Sequence, residues 1–278
     1  MVLWNSLLVF RQAEVAAEAG TAARTPQNAR MRRGRLIGVL MVRYLIAFLF
    51  IVQGAAQAVT QEQVMAAAAK IYDKHLAGLR AAYRLDDNAR FAARVAKIAW
   101  PLIEQAKRDY PESAGWAWEL HTTSDEVENA FALAGGKLLI GSEFVNRLEL
   151  NDAEIAMLVA HEICHVVLLH NLREHEEAIR LEPKWAGRPY EELEDATDND
   201  LGLVRKLAAF DAQQELESDR EGMRLAARAG WKPSGLARFF RKLEKHSNSP
   251  NFGSFNHPAP ALRARAAREL AAQLEAAR

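Results

Sequence analysis

Two histidines and a glutamate are spaced so that they could hold and use a metal ion. His161, Glu162 and His165 form the pattern H-E-x-x-H. The pattern lies in an apolar segment from Ala153 to His170 that is predicted to be helical. Residues four apart lie on one face of a helix, so both imidazoles can bind a single Zn²⁺. Glu162 lies beside them, where it can take a proton from water. The pattern therefore predicts a zinc site with its own general base.

The residues around the pattern matter, because H-E-x-x-H also occurs by chance in helices that bind nothing. Here the flanks at 155–160 and 166–169 are apolar, which predicts a buried helix. Two histidines and a glutamate buried without partners would be costly, and a bound metal removes much of that cost. The flanks therefore favour a metal site over coincidence.

A catalytic zinc needs a third protein ligand, and the acidic segment 213–222 offers one. Glu215 would complete a His-His-Glu site. Asp219 shares its helix face and could accept the free ring N–H of a ligand histidine, which fixes the tautomer. Two alternatives stay open on the residues alone. Glu217 is a rival ligand, and the whole acidic run could be a solvated helix face.

Several motifs in a fixed order resemble the gluzincin family of zinc metallopeptidases that includes HtpX, BepA, the Oma-type proteases and the CAAX prenyl endopeptidases. The matching segments are N-A-F-A-x-x-G-G at 129–136, the acidic lead-in at 151–156, E-x-E-A-D-x-x-G at 215–222, and T-H-P-x-x-x-x-R at 256–263. The departures are small: Ser218 replaces Ala and Asn256 replaces Thr or Ser. The resemblance covers roughly residues 62–272, and it favours the soluble periplasmic branch because no transmembrane pair flanks the motif helix.

The resemblance implies a specific site and activity. It makes His161, His165 and Glu215 the ligands of one Zn²⁺ per chain, with Glu162 as the catalytic base of an endopeptidase. It also places His257 on a loop near the metal, where the histidine would stabilise the oxyanion or block the fourth metal position. We expect this loop to gate the site.

The rest of the chain is predicted to be α+β and mainly helical, a zincin-like domain with a small antiparallel sheet beside the active-site helix. Helices are predicted at 61–84, 87–109, 201–209, 215–229, 234–246 and 261–276, and strands at 116–121, 129–133 and 137–140. The acidic stretch 191–200 is interpreted as a solvated helix end or loop, or as a lid. His170 and His175 are interpreted as surface residues.

The N-terminal region is predicted to direct export. An apolar run follows Arg43, and A-x-A at 56–58 offers a cleavage site near Ala58. The chain is therefore predicted to consist of an extension with signal peptide at 1–58 and a metallopeptidase domain at 59–278. The protein is expected in the periplasm. An uncleaved membrane anchor is the alternative. The first 30 residues show no core pattern, and Met31 or Met41 would make a more natural start.

Composition limits the partners. With 36 basic and 36 acidic residues the chain has no charge bias towards nucleic acid, and its single cysteine, Cys164, excludes an intrachain disulfide. The expected substrates are unfolded or misassembled envelope polypeptides, bound by edge addition to the strand at 129–133. Association with envelope or membrane proteins is a further expectation. The alternative function is a chaperone-like binding module with latent protease activity.

Overall fold

The computed structural model describes residues 59–251, 253, 254 and 257–277. The predicted extension and signal peptide at 1–58, and Asn256 of the late motif, lie outside the described residues. The elements in chain order are α1 (Gln61–Ala81), α2 (Ala89–Asp109), β1 (Glu119–Thr123), β2 (Ala130–Leu133), β3 (Lys137–Gly141), α3 (Ser142–Arg147), α4 (Asp152–Val167), α5 (His170–Leu181), α6 (Tyr190–Asn199), α7 (Leu201–Arg228), α8 (Pro233–His246) and α9 (Pro260–Ala276). The predicted α+β, mainly helical class is confirmed.

Helix α4, which carries H-E-x-x-H, is the centre of the core. A capping box starts it: the Asn151 side chain accepts from the backbone of Glu154, and the Glu154 carboxylate accepts from the backbone of Asn151. Every side chain from Glu154 to Val167 is buried. The helix packs against α2, α7, α8 and the sheet. Apolar contacts on all sides therefore fix the position of the motif.

The sheet lies beside α4, as predicted, but its pairing is mixed rather than wholly antiparallel. The strand order is β1–β3–β2, with β2 antiparallel to β3 and β1 parallel to it. The tight turn at Gly135 and Gly136 reverses the chain from β2 into β3. The loop 124–129 carries the chain from β1 across to the far edge of β3, so β1 and β3 run the same way. β2 is thus the outer strand nearest α4.

The first strand begins later than the sequence predicted. β1 starts at Glu119, and the two tryptophans expected in it pack instead where the chain enters the sheet. The Trp118 ring donates to the carbonyl of Ser113 and covers Gly136, where a Cβ would approach the ring to 2.6 Å. Gly136 has φ +83°, so a residue without a side chain suits both the turn and the ring.

Two helical predictions need correction. The helices expected at 201–209 and 215–229 are one continuous helix, α7, since nothing in Phe210–Gln214 breaks a helix. The acidic stretch 191–200 is neither a loop nor a solvated end but most of helix α6, whose Leu193 and Ala196 pack against α7 residues Leu203 and Leu207. Helix α7 therefore carries the acidic segment 213–222 into the core as part of one continuous helix.

Within the part of the chain that the structure describes, no single helix is long and apolar enough to cross a membrane. Helices α4 and α5 meet such a criterion only when they are taken together, and they are bent by 54°.

Candidate metal centre

Helices α4 and α7 place three potential ligands face to face. His161, His165 and Glu215 are all buried, and one ligand atom from each lies within 4.8 Å of the others. The two histidine Nε2 atoms are 3.1 Å apart. Glu215 Oε1 lies 3.2 Å from His165 Nε2, and Oε2 lies 3.5 Å from His161 Nε2. The structure thus brings together the three residues that the sequence singled out.

The donor set fits a metal ion. Tetrahedral zinc with Zn–N bonds of about 2.0–2.1 Å separates two nitrogens by about 3.3 Å, close to the spacing here. Neither oxygen of Glu215 accepts a hydrogen bond of normal geometry from the described residues, although Glu215 is only 1 % exposed. Lone pairs that converge in a buried site call for a cation between them. Two imidazoles and a carboxylate are typical ligands of catalytic zinc.

Glu215 is held in its charged form. Burial alone would raise the pKa of this carboxyl, but His161, His165 and the Arg263 guanidinium surround it and hold the pKa well below its usual range. A ligand that is already ionised needs no proton release to bind a metal.

Glu162 lies next to these three side chains, but its electrostatic environment differs from that of Glu215. It is 4 % exposed, and burial raises the pKa of its carboxyl to about 8. It shares a cavity with His165, Glu215 and Ala132 of β2, whose backbone hydrogen-bonds to the Glu162 carboxylate. A carboxyl with a pKa near neutrality can both accept and return a proton.

Asp219 supports His161 from behind. Its Oδ1 lies 3.0 Å from His161 Nδ1, on the side of the ring that faces away from Glu215. Arg263, from α9, donates to both Asp219 oxygens at 2.6 and 2.7 Å and lies 3.3 Å from Glu215 Oε2. Arg263 is 3 % exposed. The sequence indicated Arg263 only as part of a motif, and its place between the two carboxylates is apparent only from the structure.

His257 also reaches the site. Its Nε2 lies 3.7 Å from Glu215 Oε2, and its ring is 14 % exposed. Ser254 on the same loop lies 3.4 Å from His257 Nδ1. Burial lowers the pKa of His257 to about 4, so the ring is neutral at pH 7. A neutral imidazole at this position is chemically able to bind a metal.

Three expectations about neighbouring residues need correction or are resolved. His170 and His175 are buried, at 2 % and 6 % exposure, and the prediction that they lie on the surface was wrong. His170 contacts His165, whereas His175 stacks on Tyr190. Glu217, the rival ligand, points away from the three converging side chains and lies 3.3 Å from His170 Nε2.

The five-residue spacing between His165 and His170 does not indicate that His170 lies at the site. A residue five positions after His165 lies about 140° around a continuous helix and would face elsewhere. The chain breaks between α4 and α5, where Leu169 adopts the left-handed conformation with φ 57°. That break returns His170 to the site.

Comparisons with known proteins agree with this geometry. The model of "Peptidase family M48" matches residues 87–271, which is more than half of the chain. The chain is 31% identical over 165 residues to the "Beta-barrel assembly-enhancing protease" of Escherichia coli (strain K12), which covers 54% of this chain and 34% of that protein. It is 31% identical over 147 residues to "Metalloprotease LoiP" of the same organism, covering 51% and 58%.

A mitochondrial protein is also similar. The chain is 28% identical over 134 residues to "Mitochondrial metalloendopeptidase OMA1" of Arabidopsis thaliana, covering 47% of this chain and 27% of that protein. The chain spans about a third of the length of the β-barrel assembly-enhancing protease that it matches. The resemblance drawn from the motifs is confirmed: the chain belongs to peptidase family M48, a family of metal-dependent peptidases.

Proposed function

We propose that this protein is a zinc-dependent metalloendopeptidase. His161, His165 and Glu215 would hold one Zn²⁺, and Glu162 would act as the general base. The observation that carries the proposal is the convergence of three buried ligand atoms within 4.8 Å, with a carboxyl of raised pKa beside them. Membership of a peptidase family supports the same chemistry.

Glu162 would carry out the proton transfer. When bound, the metal would supply a Lewis acid that polarises the scissile carbonyl and makes water more acidic. Glu162 would accept the proton of the attacking water and deliver it to the leaving amine. The raised pKa suits this double role, because a carboxyl whose pKa lies near the working pH can both accept the proton and release it. Asp219 would keep His161 in one tautomer by accepting its Nδ1–H.

Substrate binding is assigned to β2. This strand is the outer strand of the sheet on the side of α4, and the backbone of Ala132 faces Glu162. An extended polypeptide added along β2 would bring its main chain past the metal ligands. Recognition through main-chain hydrogen bonds suits substrates that are unfolded, because a folded protein does not offer an extended strand.

The substrates and location follow from the relatives and from the N-terminal sequence. We assign the protein to quality control of unfolded or misassembled envelope proteins, in the periplasm and in association with envelope or membrane proteins. Support comes from the name of the β-barrel assembly-enhancing relative and from the signal-peptide pattern ending near Ala58. Anchoring by an uncleaved N-terminal segment is the alternative location.

One observation favours a second function. The neutral ring of His257 lies 3.7 Å from Glu215, one of the proposed metal ligands. The ring could therefore hold the site closed. The protein would then act mainly as a chaperone-like binder of unfolded chains, with hydrolysis latent.

Casein hydrolysis by the purified protein separates the two functions. The proposed enzyme degrades casein, loses activity with a chelator and regains it on addition of Zn²⁺ but not Mg²⁺. Binding of casein without cleavage, with or without chelator, would favour the chaperone-like function.

A further inference from the structure

The two ligand histidines are supported from behind by different chemical groups. His161 Nδ1 faces the carboxylate of Asp219 at 3.0 Å. His165 Nδ1 instead faces the Nδ1 of His170, at 3.1 Å, with the two rings edge to face. As an ionised carboxylate, Asp219 can accept a hydrogen bond from the Nδ1–H of His161 without any special requirement. The contact between His165 and His170 requires a particular tautomer of both rings.

A strained connection creates this contact. Leu169 adopts φ 57° and ψ 36°, a conformation that a side chain such as leucine disfavours. The chain bends by 54° between α4 and α5, the helices on either side of Leu169. Strain of this kind persists where the surrounding structure enforces it, often at functional sites. Here its consequence is that His170 returns to the back of His165.

The hydrogen-bond partners define the tautomers. A metal bound at His165 Nε2 leaves the proton on His165 Nδ1, which must then donate to a lone pair on His170 Nδ1. His170 therefore carries its own proton on Nε2, which lies 3.3 Å from Glu217 Oε2. Glu217 also accepts from Arg173 at 2.9 Å. The result is a directed chain of donors from His165 to the protein surface.

Two further contacts hold His170 in place. Ser218 Oγ lies 3.3 Å from His170 Nδ1, and the Gln214 side chain donates to the His170 carbonyl at 3.3 Å. Both residues come from α7, the helix that also carries Glu215. The same helix therefore supplies a metal ligand and the residues that fix the ring behind another ligand.

We propose that His170 is a positioning residue of the metal centre, which holds His165 in the tautomer and orientation that bind the metal through Nε2. Glu217 and Arg173 fix His170 in turn. This inference rests on the proposed function, because it requires a metal at His165. Loss of such an outer partner lowers metal affinity about 10- to 100-fold in characterised sites.

The test compares two substitutions of His170. His170→Phe keeps a ring of similar shape but offers no acceptor, whereas His170→Asn places an acceptor oxygen near the position of Nδ1. Zinc affinity is measured by competition with a chromophoric chelator, and ligand geometry by the absorption spectrum of the Co²⁺-substituted protein. We expect His170→Phe to bind zinc about 10- to 100-fold more weakly with an altered Co²⁺ spectrum, and His170→Asn to stay within about threefold of wild type.

Matched variants separate positioning from folding. His175→Phe changes another buried histidine of α5 that stacks on Tyr190, and it should leave zinc affinity and the Co²⁺ spectrum unchanged. Should His170→Phe fail to fold, Glu217→Ala decides, because that side chain is 30 % exposed. It should weaken zinc binding about three- to tenfold without altering far-UV circular dichroism.

Three results would overturn the inference: zinc affinity and Co²⁺ spectrum of His170→Phe equal to those of wild type, equal weakening by His170→Phe and His170→Asn, or an unfoldable His170→Phe together with unchanged zinc binding by Glu217→Ala. A wild-type protein that binds no zinc would instead overturn the proposed function, and the inference with it.

Discussion

Gly222 of α7 lies directly against the backbone of His161 in α4. A Cβ at residue 222 would come within 3.0 Å of the His161 amide nitrogen and of the Ala160 carbonyl carbon. The absence of a side chain thus allows α7 to approach α4 closely, which sets the separation between Glu215 and the two histidines of H-E-x-x-H. The final glycine of the motif at 215–222 is therefore part of the geometry of the candidate metal centre.

Enlarging residue 222 should loosen the site. We expect Gly222→Val to push α7 away from α4, destabilise the protein by about 1–3 kcal/mol and weaken zinc binding. Thermal unfolding and chelator competition measure the two effects. Gly78→Val is the matched control, because a Cβ at Gly78 meets nothing within 4 Å. Unchanged zinc affinity of Gly222→Val would show that the helix separation does not control the site.

Arg263 is predicted to be essential for stability as well as for the site. Arg263→Met removes both hydrogen bonds to Asp219 and leaves that carboxylate, which is only 12 % exposed, without its cation. Breaking a buried ion pair from one side costs about 3–5 kcal/mol, which denaturant unfolding of the metal-free protein would detect. Arg180→Met, which breaks the exposed pair with Glu177, should leave the stability nearly unchanged. Similar losses in the two variants would contradict this account.

Asp211 should make stability fall as pH rises. Burial, with Glu174 nearby, raises the pKa of Asp211 to about 9. Between the unfolded pKa of about 4 and the folded pKa, the native state holds a proton that the unfolded chain has released. The stabilising contribution is therefore complete below pH 4 and is lost progressively towards pH 9.

The Asp211→Asn variant removes this dependence. Urea unfolding between pH 6 and 9 should show wild type losing up to about 1.4 kcal/mol per pH unit more than the variant. Asp195→Asn, on the exposed side of α6, should follow wild type. Parallel stability curves for wild type and Asp211→Asn would mean that Asp211 is ionised in the native protein.

Removal of His257 should increase activity. If the neutral ring holds the site closed, His257→Ala should raise hydrolysis of a short fluorogenic peptide about tenfold, the factor expected when one molecule in ten is open. His246→Ala, at the exposed end of α8, should leave the rate unchanged. A lower rate with unchanged zinc affinity would instead assign His257 to the oxyanion, and no effect on either quantity would end the proposal for this residue.

Local patterns predicted the features that depend on neighbouring residues in sequence. The spacing of His161 and His165 fixes a shared helix face, and the motif around Glu215 indicated a third ligand, which the structure places opposite both histidines. The helical class followed from apolar periodicity. Each of these features depends on the geometry of one helix or on one short motif.

Features that depend on tertiary packing were not predictable in the same way. The parallel pairing of β1 with β3 depends on a loop path, since the strand sequences are compatible with either direction. The contact between His170 and His165 depends on the left-handed conformation of Leu169. A leucine in the sequence does not predict that conformation. Arg263 lies far along the chain from Asp219, so only the packing of α9 against α7 brings their charges together.

In the proposed mechanism Glu162 performs proton transfer at a zinc ion held by its neighbours, and the Glu162→Gln variant is the decisive test of that role. Zinc content by elemental analysis and casein hydrolysis are measured on the same preparations of wild type and variant. We predict one zinc per chain in both proteins and a loss of hydrolysis of at least about 10²- to 10⁴-fold in the variant. A variant that retains zinc and hydrolyses casein at the wild-type rate would show that Glu162 is not the general base.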